Sequence, residues 1–451
     1  MATAIPPSAV AGGGARFVFD NWGGNQSCMP LALERPTSEE ELVAVVRQAA
    51  AAGERGKVIG AGHSFTEIAC TDGRMISLDG YDRLLQVDTR AATVKVQSGI
   101  TIAALSEALA GVGLAQPNLG DIAEQSIAGA ISTATHGTGG RLGNISTQVI
   151  GLSLVTADGN LVECSASHNA DLFQAARVGL GALGVISTMT LQCVPAFTLR
   201  SMQGPRGLDE VLDQAEDLVA QNDHFEFFWI PHSDRVLAIT NNRTEAPPTP
   251  PSRLSAYFND IVMENHAFGL LQRLGRANTS WIPALGRFTG NLLSSRDVAD
   301  LSHRIFAHQR LVRFVEMEYA LPREALAAAV RDVRSMINRT GLRISFPIEV
   351  RVAAADDIWL STANGRDTCY IAVHVFQGMP FEPYFREVEA IMNGYQGRPH
   401  WGKMHYQTAA TLRPLYPQWD DFIRVRDRLD PEARFSNAYL DRILGKAPVR
   451  V

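Results

Sequence analysis

The 451-residue chain is poor in several features that mark particular protein classes. It has only five cysteines, Cys28, Cys70, Cys164, Cys193 and Cys369, far apart and with no Cys-x-x-Cys pair. That excludes the usual zinc spacings and a disulfide framework, and fits reduced, buried thiols. No apolar run reaches the roughly 18 residues of a membrane span. Met1 to Gly14 have neither a basic start nor a long apolar core, so no secretory leader is expected and residues 1–15 read as a loose tail. Cytoplasmic placement follows, with attachment to a membrane surface left open. Basic charge is not in excess: 41 Lys and Arg stand against 47 Asp and Glu, a formal charge of -6. A nucleic-acid binder would usually show a basic face. There is no internal repeat and no low-complexity block. What is there is an ordinary globular composition, 46% hydrophobic and 20% charged, long enough for two or three domains.

The chain is organised around Lys57-Val-Ile-Gly-Ala-Gly-His-Ser-Phe, which runs on to Asp72-Gly73. Val58 and Ile59 read as the end of a buried strand. Gly60, Ala61 and Gly62 form a turn with almost no side-chain bulk, which lets backbone N–H groups approach an anion. His63 and Ser64 follow where such a turn presents them to a ligand. The glycines do not fit the dinucleotide fingerprint, because Phe65 stands at its third glycine, and no Walker lysine follows. A ligand-binding turn and a tight turn with a buried, satisfied histidine are both open at this point.

Around this turn the pattern alternates helices and strands. Ser38 and Glu41 form a capping box for a helix whose apolar face is Leu42, Val45, Val46 and Ala49. Leu84–Asp88 and Thr93–Gln97 alternate at period two and make a hairpin. A helix over 102–109 ends at Gly111-Val-Gly113, and Gln116 to Asp121, with Gly120, is a loop. Small and hydroxyl residues dominate from Ser126 to Gly140. A core helix would need larger apolar groups. The stretch reads as backbone packed against a flat ligand, its hydroxyls donating to the ligand's rim, or as a plain Gly-rich loop. Strands follow over 152–158, 161–164 and 187–194, with a short helix over 171–177.

Pro195 marks a boundary. Beyond it come a helix over 208–220, a strand buried on both faces over His224–Trp229 and an exposed proline linker over 247–251. A strand over 314–319 and a helix opened by Pro322 come next; 257–292 has few periodic signals. Glu349 and Arg351 share one face of a strand, while Ile348, Val350 and Val352 take the other. Such a pair is most often a surface ion pair. A partner strand with Tyr370, Ala372 and His374 on one face points instead to a covered sheet. Arg398-Pro-His-Trp-Gly-Lys403 reads as a loop.

Gly60-Ala-Gly-His-Ser-Phe65, Glu349-x-Arg351 and His400-Trp401-x-Lys403 together resemble the FAD-linked oxidases of the vanillyl-alcohol-oxidase type. Within them the resemblance is to the sugar-lactone oxidases, with alditol oxidase as a cousin. It spans nearly the whole chain and is weakest over 240–310. It implies an α+β fold. A two-part FAD-binding domain (vanillyl-alcohol-oxidase/PCMH type) would cover 16–195. A substrate-cap domain with a mixed or antiparallel sheet flanked by helices would cover 196–415. Residues 416–451 would return to the first domain through Arg434-Phe-Ser-Asn-Ala-Tyr-Leu.

The implied cofactor is FAD, bonded covalently through His63. Gly60, Ala61, Gly62, Ser64, Gly120, Asp121, Ser126, Gly129, Ser132, Thr133, Ile186 and Lys403 would surround it, with His136 closing a turn; no metal is implied. The implied reaction oxidises a sugar 1,4-lactone (L-gulono-, L-galactono- or D-arabinono-) to the 2-keto lactone by hydride transfer to flavin N5. O2 would reoxidise the flavin and release H2O2. Glu349, Arg351 and Lys403 would bind the reacting hydroxyl. His374 is a polyol contact or a packed core histidine. Glycine at 120 favours access of O2, whereas Asp121 departs from the Ser or Ala of many relatives. Alditol oxidation, or lactone oxidation with a non-oxygen acceptor, stays open. A non-catalytic flavin-binding protein would be expected to lack Glu349, Arg351 or Lys403.

Overall fold

In the computed structural model, which describes residues 17–249, 266–307 and 311–447, the turn at 60–64 leaves a small parallel sheet. Its strands β1 (Ala32–Glu34), β2 (Gly56–Ile59) and β3 (Arg74–Ser77) lie in the order β1-β3-β2. Parallel strands need a crossover, and α1 (Glu39–Ala51) supplies it between β1 and β2. Leu42, Val46 and Ala49 are its buried side. Ser38 caps α1 by accepting from Glu41 N at 3.2 Å. The return bond of the expected box goes one residue further back: Glu41 Oε2 accepts from Thr37 N at 2.7 Å.

Strands β4 (Leu84–Asp88) and β5 (Thr93–Gln97) form the hairpin. With β6 (Val149–Val155), β7 (Leu161–Ser165) and β8 (Val185–Gln192) they make an antiparallel sheet ordered β7-β6-β8-β5-β4. Helices α2 (Ile102–Gly111), α3 (Ile127–Ser132) and α4 (Ala170–Ala176) share one core with it, through Leu105, Ile131 and Leu172 against Val96, Leu152 and Met189. Helix α3 corrects the expectation for 126–140. Two isoleucines four residues apart and a Ser126 cap suffice to hold one and a half turns of small residues as helix.

The second domain is built on eight strands: β9 (Thr198–Gly207), β10 (His224–Trp229), β11 (Arg235–Thr244), β12 (Arg296–Leu301), β13 (Phe314–Pro322), β14 (Ile348–Ala353), β15 (Thr368–Phe376) and β16 (Arg398–Pro399). They pair antiparallel in the order β12-β9-β11-β10-β14-β15-β13-β16. The helix expected over 208–220 is broken at Gln214 into α5 (Leu208–Asp213) and α6 (Ala215–Gln221). Helices α7 (Phe268–Ala277) and α8 (Ile282–Leu292) fill the described part of the stretch without clear periodicity; 257–265 lie outside the described residues. In the proline linker 247–249 are exposed, while 250, 251 and the tail 1–15 lie outside the described residues. Pro322 ends β13 instead of opening a helix, and α9 (Leu326–Thr340) begins after a single 3-10 turn. Val330 and Val333 of α9, with Phe385 and Val388 of α10 (Glu382–Gly394), pack on Met317, Ile348 and Ile371.

Helices α11 (Trp419–Leu429) and α12 (Ala438–Leu444) pack back into the core of the five-stranded sheet through Phe422, Val425, Tyr439 and Ile443. Asn437 Nδ2 donates to the carbonyls of Glu67 at 2.9 Å and Cys70 at 2.8 Å, and Gly56 N donates to Arg434 O at 2.9 Å. The end of the chain thus clamps the strand and loop that carry His63. Among the described residues no helix is long and apolar enough to cross a membrane.

Candidate active site

Two adjoining cavities share His63, Ser64, Gln125 and Thr133 in their walls. Gly60, Ala61, Gly62, Ser126, Gly129, Ser132 and Ile186 line one of them. Its wall is bare backbone because nothing larger fits. A Cβ on Gly60 would stand 2.3 Å from Ser126 Oγ, and Gly62 has φ +69°. The expected outward hydroxyls are partly spent. Thr133 Oγ1 donates to Gly129 O at 3.2 Å, whereas Ser126 Oγ accepts from Gly129 N at 3.3 Å and keeps its own proton to offer.

His63 sits at the junction. Burial pushes its imidazole down to about 4, so the ring is neutral. It stacks on Trp22 with centroids 5.2 Å apart. Its Nδ1 is buried and has no hydrogen-bond partner. Buried polar atoms are rarely left so, and this one excludes the reading of a satisfied core histidine.

The other cavity holds Gly120, Asp121, His136, Glu349, Arg351, His374 and Lys403. Strand register gathers them. Ala372 on β15 pairs with Glu349 on one side and Glu318 on the other, His374 pairs with Glu316, and Tyr370 pairs with Arg351. Directly paired residues project on the same face, and the methyl of Ala372 leaves room for the charged ends around it. Arg351 Nε lies 2.6 Å from Glu226 Oε2 and also touches Glu349, with Asp121 3.8 Å from its Nη2. Asp121 therefore faces a guanidinium. Burial works against the Arg351 charge, but Glu226 and Glu349 hold its pKa above the ordinary value.

Lys403 Nζ lies 2.5 Å from Glu316 Oε1 and also bonds Glu318. Burial disfavours this ammonium too, and the Glu316, Glu318 and Glu349 carboxylates outweigh it, raising the pKa. Glu316 and Glu318, although buried, are in turn held below the usual carboxylate range by Lys403 and the histidines. His374 Nδ1 faces Pro347 O at 3.1 Å and Nε2 faces Glu316 Oε1 at 3.3 Å. Two oxygen partners are best met by an imidazolium. Burial opposes that charge, and Glu316 overrides it and raises the pKa. His136 does not merely close a turn. Its Nε2 meets Glu318 Oε1 at 2.9 Å and its ring stacks on Tyr370 at 3.4 Å. Two His–carboxylate groups here have the spacing of metal ligands, but the Lys403 ammonium already supplies a cation to Glu316 and Glu318.

The loop of Lys403 is fixed by its neighbours. Trp401 Nε1 donates to Leu360 O at 2.7 Å, and Gly402 O accepts from Phe65 N at 2.6 Å. Three carboxylates of this site, Glu226, Glu316 and Glu318, escaped the reading of the sequence. The signal was present in Phe314-Val-Glu-Met-Glu-Tyr319. Carboxylates at period two in an apolar strand share a face, and burying them is costly unless cations meet them there.

Comparison with known proteins gives the class first. The chain superposes on a solvent-stable cholesterol oxidase over 94% of its length and 97% of that chain, with a TM-score of 0.81 at 19% identity. This is the two-domain fold of FAD-binding oxidases. Residues 30–165 match the FAD binding domain and residues 189–443 match D-arabinono-1,4-lactone oxidase. L-gulono-1,4-lactone dehydrogenase of Mycobacterium tuberculosis is 50% identical over 428 residues, 95% of this chain and 99% of that one. L-gulonolactone oxidase of Bos taurus is 37% identical over 432 residues, 94% and 98% of the two chains. The chain belongs to the D-arabinono-1,4-lactone oxidase family, and it is an FAD-dependent oxidoreductase acting on CH–OH groups.

Proposed function

We propose that this chain oxidises a sugar 1,4-lactone, L-gulono-1,4-lactone first, to the 2-keto lactone. The observation that carries it is the gathering of Glu349, Arg351 and Lys403 on a covered sheet face, in one cavity with His63. The names of the two relatives support the lactone. The unpartnered Nδ1 of His63 and the glycine wall that a Cβ would fill fit FAD, and we assign His63 as its covalent attachment. Bound there, FAD supplies a two-electron acceptor. Gly60, Ala61, Gly62, Ser64, Ser126, Gly129, Ser132, Thr133 and Ile186 would line its path, with Gly120, Asp121, His136 and Lys403 at the end facing the substrate.

Arg351 and Lys403 are the cations that hold the lactone's hydroxyl oxygens. Glu316 and Glu318 are poor acceptors for a hydroxyl proton, since Lys403 and the histidines already donate to them. We assign that proton to Glu349, which lines the cavity and shares the single Arg351 guanidinium with Glu226 and Asp121. Lys403 opposes the negative charge that builds on the substrate oxygen, a preorganised contribution made without rearrangement. His374, with both ring nitrogens turned to Pro347 O and Glu316, serves to hold Glu316 in place beside Lys403.

Electrons pass to O2 in the first reading, which Gly120 supports by leaving its stretch of wall without a side chain. The second reading is a dehydrogenase with another acceptor, favoured by the name of the relative that is half identical to this chain. Anaerobic L-gulono-1,4-lactone should bleach the flavin spectrum. Air restores the spectrum of an oxidase, whereas a dehydrogenase needs a dye. Bleaching by sorbitol but not by any lactone would overturn the substrate reading. Yellow colour that stays with the denatured chain, and is lost in His63→Ala, tests the attachment.

A further inference from the structure

The cofactor cavity has one charged side chain in its wall that the reaction above does not use. Among the described residues that line it, that charge is Lys57, and the wall carries no Asp, Glu or Arg. His63, the other titratable group there, is neutral. Lys57 stands on β2 and is 2% exposed. Its Nζ donates to Gly181 O at 3.1 Å and to Phe435 O at 3.0 Å, both neutral carbonyls. It forms no ion pair among the described residues. Asp430 acts on it from further off, and itself accepts from Arg434 N and Phe435 N, each at 2.7 Å. Arg434, beyond Asp430, is the next charge. A buried charge is normally paired, because leaving water is costly. Burial accordingly pushes the Lys57 ammonium down to about 7. Packing alone would be met by an apolar side chain of the same length.

The turn that Lys57 holds is itself strained. Leu180 and Gly181 both take left-handed backbone, φ +54° and +62°, which is uncommon for a bulky residue such as leucine. Leu180 N donates to Ser132 O at 3.1 Å, so the turn is tied to the end of α3, and Leu180 and Gly181 line the cavity. Such strain gathers at ligand sites. Position points the same way. The flavin ring has to end where the two cavities meet, at His63, Ser64, Gln125 and Thr133, and Lys57 is not among these. Strand β2 carries the wall roughly 10 Å back from Gly60 to Lys57. The remainder of FAD, with its two phosphate charges, runs toward that end. We propose that Lys57 is the cation that meets the diphosphate of FAD and selects FAD over a flavin without phosphate, a reading that rests on FAD fitting this cavity and not on the substrate. The ammonium has three donors, and the two carbonyls take two of them. One N–H and the whole charge are left for an anion. A dianion in a cavity of low dielectric favours the charged lysine. Above about pH 7, FAD binding therefore draws a proton onto Lys57. A clamp that only tied Gly181 to Phe435 would treat all flavins alike.

The test uses full-length His63→Ala protein, in which flavin can exchange, stripped of cofactor. It is titrated with FAD and with riboflavin, which has the same ring and no phosphate, and quenching of flavin fluorescence reads the affinity. Lys57→Met in this background should weaken FAD about tenfold or more and riboflavin by less than about twofold. With Lys57 in place, FAD affinity should fall above about pH 7, by up to about tenfold per pH unit, while riboflavin affinity stays level. Lys57→Met should remove that slope. Equal weakening of both flavins by Lys57→Met overturns the proposal and leaves Lys57 a structural clamp. Unchanged FAD binding overturns it too. Where Lys57→Met does not fold, calorimetry on the His63→Ala parent decides. At about pH 8, in buffers of different ionisation enthalpy, FAD should bind with uptake of up to about one proton and riboflavin with none. No uptake with FAD overturns the proposal. A parent that binds neither flavin overturns the fit of FAD itself, and the proposal with it.

Discussion

Lys403 keeps its charge in a buried place because Glu316 and Glu318 meet it there. Breaking a buried pair from one side strands the other charge at a cost of about 3–5 kcal/mol. Glu318→Ala leaves Lys403 with Glu316 alone and His136 Nε2 without its carboxylate, and is expected to lose up to about that much in urea unfolding. Glu387→Ala, on the exposed pair with Arg339 at 3.3 Å, should lose roughly 1 kcal/mol at most. Equal losses would show that burial does not set the value of these pairs. Lys403→Met removes the cation shared by both carboxylates and should cost stability too, partly offset because His136 and His374 remain as their partners. Turnover should fall by about 10²–10³ with FAD retained. Unchanged turnover removes Lys403 from the reaction.

At the scale of elements, the turn after β2 and the start of α3 lock into each other at Gly60 and Ser126. Gly60→Ala would drive its methyl into Ser126 Oγ, 2.3 Å from where the Cβ would stand. The purified variant should carry less FAD and melt lower. Gly60→Ala/Ser126→Gly should recover much of both, because glycine in place of a serine cap costs only a few tenths of a kcal/mol. A double variant no better than the single one would mean that this contact is not the reason for the glycine. Period-two alternation was enough to read the hairpin β4–β5 and the faces of β14 and β15. Helix α3 is not legible from side-chain size, because Ile127, Ile131 and a cap suffice to hold it among small residues. Pro322 is ambiguous in sequence, because proline is tolerated at a strand's end, where it lies, as well as in a helix's first turn.

The whole molecule carries a pH signature. Burial pushes His400 and His405 down to about 3, helped by the charges of Lys403 and Arg442 respectively, and His63 free of cofactor to about 4. From their unfolded value near 6.5 downward, these rings take up protons in the unfolded chain and stay neutral in the folded one. Stability that depends on them is present above that value and is lost as pH falls toward 4. His374 runs the other way: its raised pKa gives stability that is full below its unfolded value and lost as pH rises through the folded one. His224 and His232 are lowered by burial as well, and these five rings outweigh His374 and the carboxyl of Asp356, which burial raises to about 6. The melting temperature of FAD-free protein should fall steadily from about pH 6.5 to pH 4. A flat profile would show that these histidines are hydrated.

Sequence alone determined the bare turn Gly60–Ala61–Gly62 before His63, the shared face of Glu349 and Arg351, and the loop that carries Lys403. Each is a property of neighbouring residues, set by side-chain bulk or by two-residue alternation. Strand neighbours are not such a property. Strand β13 lies between β15 and β16 in the sheet although both follow it in the chain. That pairing alone puts Glu316 beside His374 and Glu318 beside Lys403. A carboxylate is a surface charge or an ammonium's buried partner according to what stands across the sheet from it, and only the tertiary structure decided that.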